Sequence, residues 1–301
     1  MKKFVDICKM SQKEVKTYMA EYLTSNNYKV ENQDGFLYAK GDIPVLLVAH
    51  MDTVHKQLPK AVWNIDGKIS SPQGIGGDDR CGIFIIMNIV KDLHCSVVLC
   101  EDEEIGGVGA RKFAKSSFIN QLDVNYMIEF DRMNATDAVF YSCDNEDFTN
   151  FITDCTGFKE AYGSFSDISI IAPASKIAAV NLSCGYYKAH TTDEYVIYNE
   201  MMDTVQVAKE LICTECNKFE YIERRQMTMW DYNYSTSYTS TPQRMRPSKN
   251  LDIELEVVFM TSENEEDMGY GCGKTKAEAW LNFFETYTDV CFEQIVDYSF
   301  C

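Results

Sequence analysis

The run PVLLVAH (44–50) is apolar throughout, as a strand covered on both faces of a parallel sheet must be. Segments of the same kind alternate with helix-like ones along the chain. After it come helix-like CGIFIIMNIVKDL (81–93), strand-like SVVLCED (96–102), helix-like VGARKFAKSSF (108–118) and strand-like NYMIEFD (125–131) and AVFYS (138–142). Helix-like EDFTNFITDC (146–155), strand-like KIAAVNLS (176–183) and helix-like NEMMDTVQVAKELICTE (199–215) follow. Upstream, Ser11 and Glu14 have capping-box spacing ahead of KEVKTYMAEYLTS, whose Val15, Met19, Tyr22 and Leu23 share one face. YKVEN and FLYAK flank QDG, a hairpin signal. This alternation predicts an α/β fold, a three-layer sandwich with a mostly parallel central sheet.

The pattern defines one large domain over residues 1–215. Residues 216–250 change character: QMTMWDYNYSTSYTSTPQRMRPSKN (226–250) is polar with dispersed apolar residues, and reads as a linker or long loop. Residues 251–301 then form a small α+β appendage, with LDIELEVVFM alternating as a strand and TKAEAWLNFFETY placing Ala277, Trp280, Leu281 and Phe284 on one helix face. Its GYGCGKT is not a phosphate loop, because Met268 stands where that pattern needs glycine. From Asn217 to Cys301 there are 8 Lys and Arg against 15 Asp and Glu, a net of −7, and the whole chain carries −18, so nucleic acid is not an expected partner. Self-association through the appendage is an open role for it. The N-terminal MKKFVDICKMSQKE turns polar too soon for a signal peptide, and no apolar run reaches the roughly 18 residues of a membrane span. No membrane association is expected. The twelve cysteines lack disulfide-framework spacing and several sit in strand-like runs, which fits a reducing compartment and a cytoplasmic address.

Chemistry in a parallel sheet gathers at the carboxyl ends of its strands, and there the polar residues of this chain collect. Strand 44–49 ends in His50 and Asp52; GIGGDDR places Asp78 and Asp79 ahead of a helix; strand 96–100 ends in EDEE; strand 125–130 ends in Asp131; and His190 follows strand 176–183. Singly, each has a plain reading as a polar strand end, a solvated turn, a charged surface run or a loop residue. Jointly, imidazoles and carboxylates from five segments suit zinc, manganese or cobalt, and gathering them at one rim is costly unless a cation neutralises them. His55 and His94 have no neighbours at ligand spacing and are expected to serve structural roles. Cys213 and Cys216 form a lone C-x-x-C without a second pair, weak grounds for a redox or zinc role.

The motifs AHMDTV, GGDDRCG, EDEEIGGVGA, IEFDR and YYKAHTTDEY, in this order, resemble those of the zinc-dependent exopeptidases with co-catalytic metal pairs. That superfamily includes aminopeptidases, tripeptidases, carboxypeptidases and deacylases. The resemblance spans roughly residues 10–215 and implies two divalent metal ions, zinc before cobalt or manganese. It assigns His50 and Asp131 to one ion, Glu104 and His190 to the other, and Asp78 to both. Glu103 matches the general base, and Asp52 the carboxylate that orients His50. It further implies a cis peptide between Asp78 and Asp79, and Glu103 and Glu104 pointing to opposite sides if strand geometry persists. The spacing from Asp131 to His190 leaves no room for the lid domain that some members insert, so a compact, lidless form is expected.

The expected activity is hydrolysis of amide bonds in short peptides, an aminopeptidase before a carboxypeptidase or an N-acyl amino acid deacylase acting on acyl-amino acids. A binding protein that keeps the fold without catalysis is the alternative from another class. Arg132 and Tyr187 are the candidates for substrate contact, against ion pairing of Arg132 within the acidic rim and packing of Tyr186 and Tyr187. The segment GSFSDISII (163–171) reads either as a wall of the substrate pocket or as a plain helix cap.

Overall fold

The chain starts with α1 (Lys2–Cys8), whose Phe4, Ile7 and Cys8 are buried, and α2 (Gln12–Ser25). The capping box ahead of α2 forms as its sequence requires: the Ser11 side chain accepts from Glu14 N, and the Glu14 carboxylate accepts from Ser11 N. Val15, Met19 and Leu23 point inward, and Tyr22 at the margin donates its hydroxyl to Met87 O. The QDG hairpin joins β1 (Val30–Gln33) to β2 (Phe36–Ala39). There follow β3 (Ile43–His50), the short pair β4 (Trp63–Ile65) and β5 (Lys68–Ser70), α3 (Gly77–Ile89), β6 (Cys95–Cys100), α4 (Val108–Lys115) and β7 (Tyr126–Arg132). The chain continues with β8 (Asp137–Val139), α5 (Glu146–Thr156), β9 (Lys159–Ala161), α6 (Asp167–Ser175), β10 (Ala179–Ser183), β11 (Tyr186–Tyr187), β12 (Tyr195–Ile197) and α7 (Tyr198–Cys213).

This computed structural model describes residues 1–224, 253–260, 266–273, 276, 279, 280, 283 and 295–300. The central sheet has eight strands in the order β1-β2-β6-β3-β7-β10-β8-β9. Its middle, β6-β3-β7-β10, is parallel throughout, while β1, β2 and β8 pair antiparallel at the flanks. The reason PVLLVAH must be apolar is now concrete. Val45, Leu47 and Ala49 join one core cluster, with α1, α2, α3, α5 and α7, and Leu46 and Val48 join the other, with Ala110 and Phe113 of α4 and Ile168 and Ile171 of α6. Helices on both faces give the three-layer sandwich expected from the alternation. Among the described residues no helix is long and apolar enough to cross a membrane.

GSFSDISII forms the helix cap that is one of its two readings: it opens α6, with Ser166 at the N-cap and reciprocal bonding to Ser169. The boundary expected after residue 215 differs from the observed one. Residues 216–224, assigned to the linker by composition, run along the first unit instead. Ala178 N donates to Phe219 O (3.0 Å) and Phe219 N to Asn125 O (2.8 Å), so their polar backbone satisfies that of the sheet, which composition cannot show. The chain divides into two compact units at Met1–Arg225 and Gln226–Cys301.

The aromatic group under α5 anchors the first unit. Phe148 is fully buried and meets Phe140, Tyr126 and Phe219 at ring-centroid distances of 5.7, 5.9 and 5.2 Å. Phe148→Ala is expected to cost about 3–5 kcal/mol through the cavity it leaves, read as a lowered urea midpoint with an unchanged slope.

In the second unit, β13 (Ile253–Met260) lies between β14 (Glu266–Gly273) and β15 (Ile295–Phe300), antiparallel to both. Leu255 and Val257 of β13 pack with Ala279 and Phe283, which are helical. Gly269–Gly273, part of the GYGCGKT motif, is strand and pairs with β13. Ala277, Leu281 and Phe284, and the polar stretch 226–250, lie outside the described residues.

Candidate active site

The carboxyl ends of β3, β6 and β7, the start of α3 and the loop after β11 meet at one rim. His50 is the last residue of β3 and is fully buried. Its Nδ1 lies 3.1 Å from Asp52 Oδ1, and its Nε2 lies 3.0 Å from Asp78 Oδ1 and 3.5 Å from Asp131 Oδ1. Across Asp78, His190 Nε2 lies 3.1 Å from Asp78 Oδ2 and 3.3 Å from Glu104 Oε2. Two groups result, His50–Asp78–Asp131 and Asp78–Glu104–His190, each with one donor atom per residue within 4.8 Å of the others. Asp78 belongs to both.

The local backbone explains how adjacent residues divide these tasks. The peptide between Asp78 and Asp79 is cis, as the resemblance implies, and both residues have non-helical angles at the start of α3. Asp78 faces the histidines while Asp79 turns inward, accepting from His50 N (3.1 Å) and Gly82 N (2.9 Å). A Cβ on Gly82 would come within 2.5 Å of both Asp79 carboxylate oxygens, which accounts for glycine there. Strand geometry does not persist through EDEE: β6 ends at Cys100, and Asp102 takes a left-handed φ of +59°. A turn, not strand alternation, therefore separates Glu103 from Glu104. Asp52 holds that turn, accepting from Glu103 N at Oδ1 (3.0 Å) and from Glu104 N at Oδ2 (3.1 Å) while also meeting His50.

Electrostatically the rim attracts positive charge. Burial alone would lower the pKa of His50, but Asp131, Asp52 and Asp78 outweigh it and hold it well above its ordinary value. Hydrogen bonds that His190 donates to Asp78 and Glu104 raise it to about 11. Burial raises Asp131 to about 7, with the charge of Asp78 adding to it. Burial likewise raises Glu103 to about 9; His50 opposes the rise, and Asp131, Asp167 and Asp78 add to it. Imidazoles grouped with so many carboxylates form donor sets that could hold a metal ion. Glu104 Oε1, buried and without a hydrogen-bond partner among the described residues, is a further donor for a cation. The donor set of two imidazoles and three carboxylates fits zinc, cobalt or manganese.

Sequence comparison finds no family model and no curated protein that matches the chain. Solved structures do match. Aminopeptidase PepT from Bacillus cereus is similar over 70% of this chain and 96% of its own, with a TM-score of 0.60 at 14% identity. A tripeptidase from Staphylococcus aureus is similar over 69% of this chain and 95% of its own, with a TM-score of 0.56 at 13% identity. The TET1 peptidase of Pyrococcus horikoshii, which can assemble into a tetrahedron or a large octahedral shell, is similar over 70% and 97%, with a TM-score of 0.53 at 16% identity. The chain has the fold of these peptidases.

Within this peptidase fold, the two candidates for substrate contact are engaged elsewhere. Arg132 Nε pairs with Asp137 Oδ2 (3.3 Å), five residues on at the start of β8. Tyr187 donates its hydroxyl to Glu200 Oε2 (2.6 Å) and stacks on Tyr195 at 5.1 Å. Its neighbour Tyr186 faces the rim instead, donating to Asp131 Oδ1 (3.2 Å). His94 stacks on Tyr28 with centroids 4.0 Å apart, and His55 pairs with Glu194.

The peptidase fold also brings up residues that the motifs did not single out. Arg80, 1% exposed, donates to Met51 O (2.7 Å), Asp52 O (3.1 Å) and Met10 O (3.1 Å), so it secures the chain just beyond His50. Asn181 of β10 clamps the backbone of Asp131 with two 2.8 Å hydrogen bonds. Glu129 and Asp167 are fully buried, and Ser166 donates to Glu129. Burial holds the carboxyl of Glu129 well above its usual range and Asp167 at about 7. Glu129 had one sequence signal, a carboxylate two places before Asp131 on the same strand face.

Proposed function

We propose that the chain is a metal-dependent hydrolase that cleaves amide bonds of short peptides, and that it acts as an aminopeptidase with Glu103 as general base. The observation that carries this reading is the pair of His–carboxylate groups sharing Asp78 at the strand ends of a peptidase fold. His50, Asp131 and Asp78 would hold one divalent ion, and Asp78, Glu104 and His190 the other, zinc before cobalt or manganese. When bound, such ions supply Lewis acidity to the scissile carbonyl and lower the pKa of water between them.

The chain's own groups do the rest. Asp52 fixes the ring orientation of His50 and the turn that carries Glu103. Glu103, 8% exposed, would act in its carboxylate form, which cations at the two donor groups would favour, taking the proton of the attacking water on an oxygen and delivering it to the departing amine nitrogen. Tyr186 orients Asp131 through its hydroxyl. Because Arg132 is already paired with Asp137, recognition of a substrate amine is favoured over recognition of a carboxylate. A cytoplasmic address and self-association through residues 251–301 belong to the same reading.

The test is metal analysis of the purified protein, then assay of aminoacyl, N-acyl and carboxyl-terminal amide substrates with and without a chelator. Two equivalents of bound metal and chelator-sensitive release of amino-terminal residues are expected. Preference for N-acyl substrates would turn the reading to a deacylase. Neither metal nor turnover would favour the non-catalytic alternative.

A further inference from the structure

Glu194 is fully buried although it stands in the loop between β11 and β12, four positions after His190. Both of its oxygens are occupied by one short stretch of chain and one ring. Oε2 accepts from Gly76 N (2.7 Å) and lies 2.7 Å from His55 Nε2, while Oε1 accepts from Asp78 N (3.0 Å). The glycines of GIGGDD are shaped by the same contacts. Gly74 has a φ of +85°, and a Cβ there would come 2.1 Å from His55 Cε1. A Cβ on Gly77 would lie 2.7 Å from Val196 Cγ2 and 2.9 Å from Tyr186 Cβ. The Gly74–Asp78 turn is thus pressed between the His55 ring on one side and β11–β12 on the other. Glu194 ties together the loop after His50, the turn that presents Asp78 and the loop that presents His190.

We propose that Glu194 and His55 are a positioning pair that sets the carboxylate of Asp78 at the distance both histidines need. This rests on the metal-hydrolase reading above, and neither residue belongs to either donor group. Asp78 reaches His50 through Oδ1 and His190 through Oδ2, so a small rotation of the Gly77–Asp78 peptide moves both contacts together. A carboxylate can accept from all three donors, whereas glutamine at 194 offers one accepting oxygen and turns an NH2 group towards a peptide N–H or the imidazole.

The test compares full-length parent, Glu194→Gln, Glu194→Asp and His55→Phe. Zinc affinity is read by competition with a chelating dye, thermal stability on the metal-free proteins, and kcat and KM on a dipeptide amide. Glu194→Gln is expected to weaken zinc binding about 10–100-fold, the usual loss for a group that orients a ligand, and to lower kcat more than KM. The midpoint of the metal-free protein is expected to fall by less than the loss of zinc affinity would require if it came from stability alone, and Glu194→Asp to recover part of the affinity. If Glu194→Gln does not fold, His55→Phe carries the test, since it keeps a ring over Gly74 and removes the nitrogen that meets Glu194. Parental zinc affinity in the folded variants, or a loss matched by an equal fall in metal-free stability, overturns the positioning role while leaving the hydrolase reading intact. A parent that binds none of zinc, cobalt or manganese overturns both.

Discussion

Replacing Glu103 by glutamine is expected to lower kcat about 100- to 10,000-fold, the range for loss of a general base, and to leave the metal content of the protein at the parent's level. Among the described residues Glu103 belongs to neither donor group, so its replacement removes no proposed ligand. Its backbone N–H is what Asp52 grips, and glutamine keeps that bond and the side chain's volume. What glutamine lacks is an oxygen that can accept a proton. The measurement is steady-state kinetics beside metal stoichiometry on the same preparation. A variant with full turnover would remove Glu103 from the mechanism, and one with lost metal would make it a ligand.

Asp78→Asn produces the other large effect, because a single side chain serves both donor groups. Its two oxygens face different histidines, at 3.0 Å and 3.1 Å, and asparagine leaves only one of them as a carbonyl acceptor without charge. Burial would push the Asp78 carboxyl up, but hydrogen bonds from His190 and His50 hold it well below the usual carboxylate range, so it faces them as an anion. Removing that anion is expected to reduce bound metal from two equivalents to one or none, and to cut turnover by more than the 10–100-fold typical of groups that merely orient ligands. The metal-free protein loses little, since Asp131 and Asp79 are relieved of a neighbouring charge. The discriminating readout is the rise in melting temperature on adding zinc, large in the parent and small in the variant. An equal rise in both would show that Asp78 does not hold a cation.

Both expectations begin from residues that local sequence made visible. PVLLVAH and SVVLC announce strands covered on both faces, because a parallel strand has no solvent side to tolerate polar residues. The same rule makes polar residues conspicuous where such strands stop, and His50, Asp131 and the EDEE turn stand there. The capping boxes differ in legibility. Ser11 and Glu14 announce α2 through residue type alone, whereas α6, with serine in place of glutamate at its fourth position and Pro173 inside it, is legible only as one of two readings of its first residues.

What tertiary structure decided are pairings between residues far apart in the chain and the facing of very short elements. Glu194 and His55 are 139 residues apart, and nothing local to either gives notice of the other. Glu129 meets Ser166 only because β7 and α6 pack together. Tyr186 rather than Tyr187 faces the rim because β11 has two residues, and its pairing with β12 alone determines which of them points inward. Arg132 lies beside a candidate ligand in sequence, yet its direction is set by Asp137. The sequence by itself determined the sandwich and the set of groups at its rim, since burial and strand ends leave periodic, local marks. The positions of those groups within an ångström, and the buried carboxylates that hold them, were decided by contacts that form only once the chain has folded.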